Sequence, residues 1–580
     1  MARSPDRLRI ALRAGYVRLR MRGQRRSGIP EPGGGDASES ADGGRDVARP
    51  ALMLAVAAPM AAYLALVVVT RVDAPVLDDF DALLGFAERF ASTGSWSERL
   101  ALLFQPHVDH RIALPRAVAL AVAGMLGRID FAVLSLLGNL CLVGAFLALA
   151  AGRERDRYGL AGLVPASLLV FQPQAVDVVH WPTASLATHG VLALATVAFR
   201  WLETGTRVGL AVAWLCGLLA LYTQGNGVAL WPAAAGGLWL AGRRREAWRW
   251  LALSVPALVL YASTYAGHAG AGGVSGVLHR LPETVHYFLN FLGAAPAFGS
   301  VDAAPALAAV LCGGLGWLLF SGRERLDPGL AALGLFVMIT AAGNAVLRSG
   351  MGTEYALEQS RYRLYSVLLV VVCHLGLSDR LRTRRWRGAY LLLAIGMAAA
   401  FSAVSFVRDT PAVGRNASIA ARSVLRWSLT GEGLQHPKPE RAAALLSGSA
   451  LYRPDPSRLA RFLDRREERR VPTAVGGKVG FDLVRVMGGE SLVMVEGWMA
   501  IEGVDPSRAA IFVVRETPGE RAVFGSRRVR GVAIGAEGSD RLAFRALIPR
   551  WSWGDEPARI GLLGVDREVE VFVPTSRVVR

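Results

Sequence analysis

The sequence predicts a polytopic α-helical membrane protein with about eleven transmembrane helices and a C-terminal β-sandwich-like domain on the outer face. Three observations carry that expectation. Apolar runs of bilayer-spanning length recur as far as residue 407, in a 580-residue chain that is 52% hydrophobic. Short arginine clusters separate those runs. Beyond residue 470 the pattern changes to short apolar–polar alternation, broken by Gly, Pro and charged turns. A net charge of +18 would suggest nucleic acid in a soluble chain. Here the bias of cationic residues toward the cytoplasmic side of a membrane accounts for it, so no nucleic-acid partner is expected.

Residues 1–50 read as a basic cytoplasmic tail and a flexible linker. The first 26 residues hold nine arginines and one acid, and no cleavable signal peptide is expected ahead of the first span. Leu8, Leu12, Tyr16 and Leu19 share one helical face. The tail is therefore either a basic amphipathic helix on the inner leaflet or a disordered arm. Residues 28–50 are linker by composition.

The expected spans are 51–70, 131–151, 160–178, 183–201, 208–223, 228–242, 249–266, 303–320, 329–347, 364–378 and 388–407. Two weaker apolar stretches, 112–127 and 284–298, are expected to stay on the outer side without crossing. With the N-terminus inside, this places all four arginine clusters (153–157, 243–249, 322–325 and 379–387) in the cytoplasm. The transmembrane domain is then 51–407, with a large first outer loop at 71–130. Residues 408–470 read as a connecting helical segment. Residues 471–580 read as an extracytoplasmic β-rich domain of six or seven strands. Cys141, Cys216, Cys312 and Cys373 lie inside apolar runs without CxxC spacing and read as packing residues.

With this orientation the polar motifs converge on one face. "DDFD" (78–81) and "HVDHR" (107–111) fall in the first outer loop. "QPQAVDVVHWP" (172–182), "YTQGNG" (222–227) and "RSGMGTEYALEQSRYRLY" (348–365) fall at later outer turns. The loop 267–302 adds His268, His279, Arg280, Glu283 and His286. The span interiors hold little beyond Asn139, Asn344, His189 and His374. An ion-coupled transporter needs ionisable groups near the midplane. An enzyme of the outer boundary needs them where this chain has them.

One span, a large outer loop with an acidic pair, about ten further spans and an outer β-rich domain together resemble the GT-C superfamily. These integral membrane glycosyltransferases include the protein O-mannosyltransferases and the lipid A aminoarabinose transferases. The resemblance covers the architecture from about residue 50 to 407. It implies a GT-C-like fold and sugar transfer, with inversion, from a polyprenyl-phosphate donor to a hydroxyl acceptor. The first-loop acids of that superfamily match Asp78 and Asp79, an Asp-Asp pair here in place of Asp-Glu. The acceptor, whether glycan, lipid or protein, is not identified by the resemblance.

A carboxylate at Asp78 or Asp79 would take the acceptor's proton, or hold a divalent cation such as Mg or Mn. Otherwise Asp79 or Asp81 caps the helix that begins "DALLGFAERFA". Asp78 is the preferred base. His107 and His110 have a helical metal spacing, but no further ligand completes it nearby. His110 and Arg111 would bind carrier phosphate or sugar, or pair structurally with Asp109 or the acidic pair. Arg361 and Arg363 form an arginine fork suited to a phosphate diester, with Tyr362 and Tyr365 against sugar or isoprenoid; the alternative is an interfacial anchor. Arg348 is a further phosphate candidate. His180, Trp181, Gln224 and Asn226 would contact sugar, or form an aromatic belt and a glycine-rich helix break. Arginine, alanine and glycine usage suggests a GC-rich bacterial genome, hence a location in the cytoplasmic (inner) membrane, with the C-terminal domain outside. The rival readings are a lipid-linked polysaccharide ligase or polymerase, a transporter or flippase, and a scaffold with a sugar-binding β-domain.

Overall fold

α1 (Gly43–Thr70) opens the described chain, and its stretch from Arg49 to Thr70 is long and apolar enough to cross a bilayer. The structure, a computed structural model, describes residues 43–580 except 109, 152, 154–156, 264–278, 322–325, 382–383, 432–433, 460–465, 468–477, 488–491, 501–509, 519, 526, 529–540, 550–552, 554–556, 566–569 and 580. The basic tail, Asp109, His268 and the cluster at 322–325 thus lie outside the described residues. The chain divides into two units, Met1–Ala51 and Leu52–Arg580.

After α1 the chain passes through a π-helical turn, Phe80–Leu84, into α2 (Gly85–Ser92), α3 (Trp96–Phe104) and α4 (Ala113–Leu126). There follow α5 (Phe131–Ala150), α6 (Arg157–Val170), α7 (Val176–Val179), α8 (Pro182–Glu203), α9 (Arg207–Leu221), α10 (Leu230–Leu240) and α11 (Arg244–Ser263). The bundle is completed by α12 (Leu281–Gly293), α13 (Ala303–Phe320), α14 (Pro328–Arg348), α15 (Tyr355–Glu358), α16 (Arg363–Arg380) and α17 (Arg384–Thr430). Starts and stops follow local chemistry. Asp130 caps α5 by accepting from Val133 N, and Asp327 caps α14 by accepting from Gly329 N and Leu330 N. Pro182 and Pro328 open α8 and α14, where a missing N–H costs nothing.

Seven helices among the described residues are long and apolar enough to cross a membrane: α1, α5, α8, α13, α14, α16 and α17. The protein is a helical membrane protein. Four of the expected spans fall short of that standard. α6 and α9 are short, α10 has 11 residues, and α11 opens on two arginines and a glutamate. The span expected at 160–178 stops at Val170, because Pro173 follows and Gln174 N donates to Gln172 Oε1 in a tight turn.

Two apolar cores divide the helices. The larger runs through the bundle, with Trp231 stacked on Trp250 and with Tyr287, Phe291 and Phe336 buried in it. The second gathers the first loop (Val72, Phe80, Leu83, Phe86), α4 (Ala119, Val122) and the far end of α17 (Ala421, Val424, Leu425). α4 buries its face here and takes no part in the bundle core.

α17 runs past residue 407, the expected end of the last span, into the segment expected as a helical connection. It runs unbroken for 47 residues through Pro411, about 70 Å at 1.5 Å per residue and over twice a hydrocarbon core of about 30 Å. Leu392, Leu393 and Val407 are exposed, whereas Ala417 and Leu425 are fully buried. One helix therefore changes from a bundle element to a pillar of the second core. α18 (Pro439–Gly448) and α19 (Pro456–Leu459) return along that core.

The C-terminal region holds β1 (Arg466–Glu467), β2 (Lys478–Met487), β3 (Leu492–Ala500), β4 (Ala510–Thr517), β5 (Glu520–Gly525), β6 (Arg527–Arg528), β7 (Arg541–Pro549), β8 (Ala558–Val565) and β9 (Glu570–Val579). They form two antiparallel sheets, ordered β1-β5-β4-β8-β9 and β2-β3-β7-β6. Val495, Phe544 and Ile548 of one sheet share a core with Val513, Phe524 and Leu562 of the other.

Leu425 is fully buried in the second core. Leu425→Ala should cost roughly 2–5 kcal/mol. The exposed control Val407→Ala should cost little, as read from thermal unfolding of the purified protein. Equal effects would show that α17 does not support that core.

Candidate functional site

The chain leaves α1 and reaches Asp79 through an irregular turn. Asp79 is fully buried, with both carboxylate oxygens engaged. Oδ2 accepts from Val76 N at 2.9 Å, and Oδ1 accepts from Thr183 N at 2.8 Å and Thr183 Oγ1 at 2.6 Å. Asp79 makes no capping bond to its own helix. It caps the first turn of α8, 104 residues away in sequence. Burial pushes its pKa up to about 7 against the pull of these donors. Asp81, the other expected cap, is ion-paired to Arg441 at 2.7 Å.

Asp78 has the opposite setting. Its side chain is 50% exposed, and His107 Nε2 lies 3.9 Å from Oδ2. His107 holds the Asp78 carboxyl below the usual carboxylate range, and the charges of Arg361 and His110 add to the effect. His107 and His110 sit on a tight turn, not a helix: His107 N donates to His110 O (2.8 Å) and His110 N to His107 O (3.2 Å). Leu77 (φ 46°) and Val108 (φ 53°), beside these residues, have left-handed backbone that bulky side chains rarely adopt. Both turns are held from behind. His436 Nε2 faces Leu77 O at 3.2 Å, and the buried Arg116 donates through Nη1 to the carbonyls of Leu102 and Leu103 at the end of α3.

Of the expected residues, the structure brings Asp78, His107, His110 and Arg361 together. Arg361 is half-buried, its guanidinium 5.6 Å from the Trp181 ring and 5.4 Å from the Tyr362 ring. Gly225 fits closely beside His110, whose Cβ lies 3.2 Å from where a glycine Cβ would be, so Gln224 and Asn226 flank the same place. Three expected contacts lie elsewhere. Arg111 is buried, donating to Phe104 O and Tyr261 O and lying over the Tyr261 ring. Arg363 faces Asp409 and Asp177, which splits the supposed fork. His180 pairs with Thr70 Oγ1 at 2.8 Å. Thr183, His436 and Arg116 escaped sequence reasoning because their partners are distant in sequence or are backbone carbonyls.

Both oxygens of Asp79 are engaged, so of the two acids expected to meet a Mg or Mn ion Asp78 is the accessible one, beside His107, His110 and Arg361. Among the described residues no cluster of three or more His, Cys, Asp or Glu is placed to hold a metal.

A raised carboxyl pKa means the folded state holds the proton more tightly than the unfolded one. The Asp79 contribution is therefore full below about pH 4 and lost as pH rises through about 7. Asp79→Asn removes that dependence and sets an amide N–H against the Val76 N–H. The stability advantage of the native protein over this variant should narrow by about 1 kcal/mol or more between pH 5 and pH 8. An advantage that widens with pH would show that the fold prefers the ionised carboxylate. Compared with known proteins, the chain matches no family model and no curated sequence, so the reading of this site rests on its geometry.

Proposed function

We propose that the protein is a membrane glycosyltransferase, moving a sugar from a polyprenyl-phosphate donor to a hydroxyl acceptor at the outer face of a bacterial cytoplasmic membrane. One observation carries the reading: an accessible carboxylate, Asp78, stands between two strained turns with His107, His110 and Arg361 around it. That is a proton acceptor beside cations able to receive a phosphate leaving group. The acceptor oxygen bonds to the anomeric carbon as the bond from that carbon to the phosphate oxygen breaks. The acceptor's proton passes to Asp78, and the phosphate leaves with its charge facing Arg361 and His110. A carboxylate held well ionised is a weak base, so it takes the proton late, once the attacking oxygen has become positive. A single displacement inverts the anomeric centre.

In the proposed GT-C-like topology the four short or charged helices also cross, giving eleven spans. α4 and α12 stay outside, and the β-sheets lie on the side of the first loop. The sharing of one core by the first loop and α17 requires an even number of crossings between them, and ten fit. The flippase alternative gains no support from the bundle's polar residues. Asn139 is bonded to Tyr63, Ser135 and Val179, and His374 to Tyr390 and Gly162.

Asp78→Asn should leave folding and insertion intact and lower transfer by about 10²–10⁴-fold. Transfer near the native rate in membranes at matched expression would remove the base from the reading. Arg361→Ala should weaken use of the donor about tenfold or more, and Arg387→Ala, paired with Asp379 at the other end of the bundle, should not. Equal, small effects would make Arg361 an anchor. In a cysteine-free background, Ser447→Cys should label from outside and Thr206→Cys should not. The reverse pattern would overturn the orientation.

A further inference from the structure

The turn between α10 and α11 lies at the end of the bundle opposite Asp78. There Arg243 Nη1 donates to the carbonyl of Glu203, which closes the helix whose first turn Asp79 caps. α11 buries Ala247, Trp250, Ser254 and Ala257 against the bundle. Its other side is exposed and changes character along its length. The first two turns present Arg244, Arg245 and Arg249. Trp248 stands among them at 62% exposure, and the exposed Val255 and Val259 continue the same side. The end of α10 adds an exposed Trp239. Its ring meets that of Trp248 edge-on at 6.0 Å and carries the Arg244 guanidinium 5.3 Å from its centre.

These three arginines have no acid to balance them. Glu246 is the one carboxylate of the segment 243–249, and both its oxygens are taken by Arg243. Among the described residues, Arg244, Arg245 and Arg249 pair with no carboxylate. Like charges one turn apart on a helix disfavour each other, so the patch is complementary to an anion. That anion sits over an apolar face and beside two indole rings, which is the setting of a lipid headgroup: indoles favour the boundary between headgroups and chains, and guanidinium forks fit phosphodiester oxygens. A zwitterionic headgroup would bring an ammonium group to the same patch. We propose that Arg244, Arg245, Arg249 and the Trp239–Trp248 pair form a site for the phosphodiester headgroup of an anionic phospholipid, whose chains lie along the Val255 and Val259 side of α11. The site is independent of the transferase reading. Only its leaflet, the inner one, follows from the proposed orientation.

The test is native mass spectrometry of the delipidated full-length protein in detergent, titrated with dioleoylphosphatidylglycerol or dioleoylphosphatidylcholine. The anionic lipid should bind saturably, about tenfold or more tighter than the zwitterionic one. The triple variant Arg244→Gln/Arg245→Gln/Arg249→Gln should lose about tenfold or more of that affinity, with its lipid-free thermal unfolding unchanged. Arg249→Gln alone should weaken binding, whereas Arg385→Gln, which removes one exposed charge from α17, should not. Trp248→Ala keeps the charge and should weaken binding as well. Absence of saturable binding, or equal binding of the two lipids, would overturn the site. Unchanged affinity in the triple variant or in Trp248→Ala would do the same. Equal losses in Arg249→Gln and Arg385→Gln would show that net charge, and not this patch, attracts the lipid. Displacement of the lipid by an equal concentration of free glycerol phosphate would make the patch a soluble-anion site and overturn the lipid as its occupant.

Discussion

The site depends on the burial of Asp79. A carboxylate in an apolar core is costly unless hydrogen bonds meet its oxygens. Here Val76 and Thr183 supply three, and the partial positive charge at the start of α8 adds to them. The bonds tie the first loop to a bundle helix with which it has no sequence proximity. Once Asp79 is fixed inward, the strained turn at Leu77 leaves Asp78 on the outward side. The adjacent acids Asp78 and Asp79 are chemically alike and differ in setting: Asp79 is buried and ties the loop to α8, whereas the side chain of Asp78 is half exposed.

The C-terminal part of the pillar core clamps the same loop. Arg441 pairs with Asp81, Glu88 accepts from Ser449 and Leu451, and Tyr452 Oη donates to Asp73 O. Arg128 and Arg458 close a network with Asp73 and Asp130. The contacts made by residues 441–458 span more than three hundred residues, and α17 leads the chain to them.

Much of this was legible in the sequence, within identifiable limits. Runs such as 303–320 match their helix because apolar composition alone sets them. The end of α17 was hidden because Arg408, Asp409 and Pro411 look like a terminus, yet tertiary packing carries the helix past them. Asp78, His110 and Arg361 stand out in the sequence by residue type, and the structure brings them near one another. The fate of Asp79 could not, since Thr183 carries no local mark of its partner. Neighbours misled for a geometric reason: Arg111 beside His110 and Arg363 beside Arg361 have side chains rotated away by the backbone, into other surroundings.

The same electrostatics give the proposed reaction an order. In the empty site Arg361, His107 and His110 all favour the ionised form of Asp78, which makes it a poor proton acceptor. A phosphate diester arriving at Arg361 would neutralise part of that charge and raise the proton affinity of Asp78. When the glycosyl bond breaks, the leaving phosphate becomes more negative and raises it again. The base would thus be weakest before the donor binds and strongest as the acceptor's proton comes free. That coupling needs the carboxylate and the guanidinium to share one small volume, and the Asp79 bonds to Thr183 and the cover of His436 hold Asp78 there.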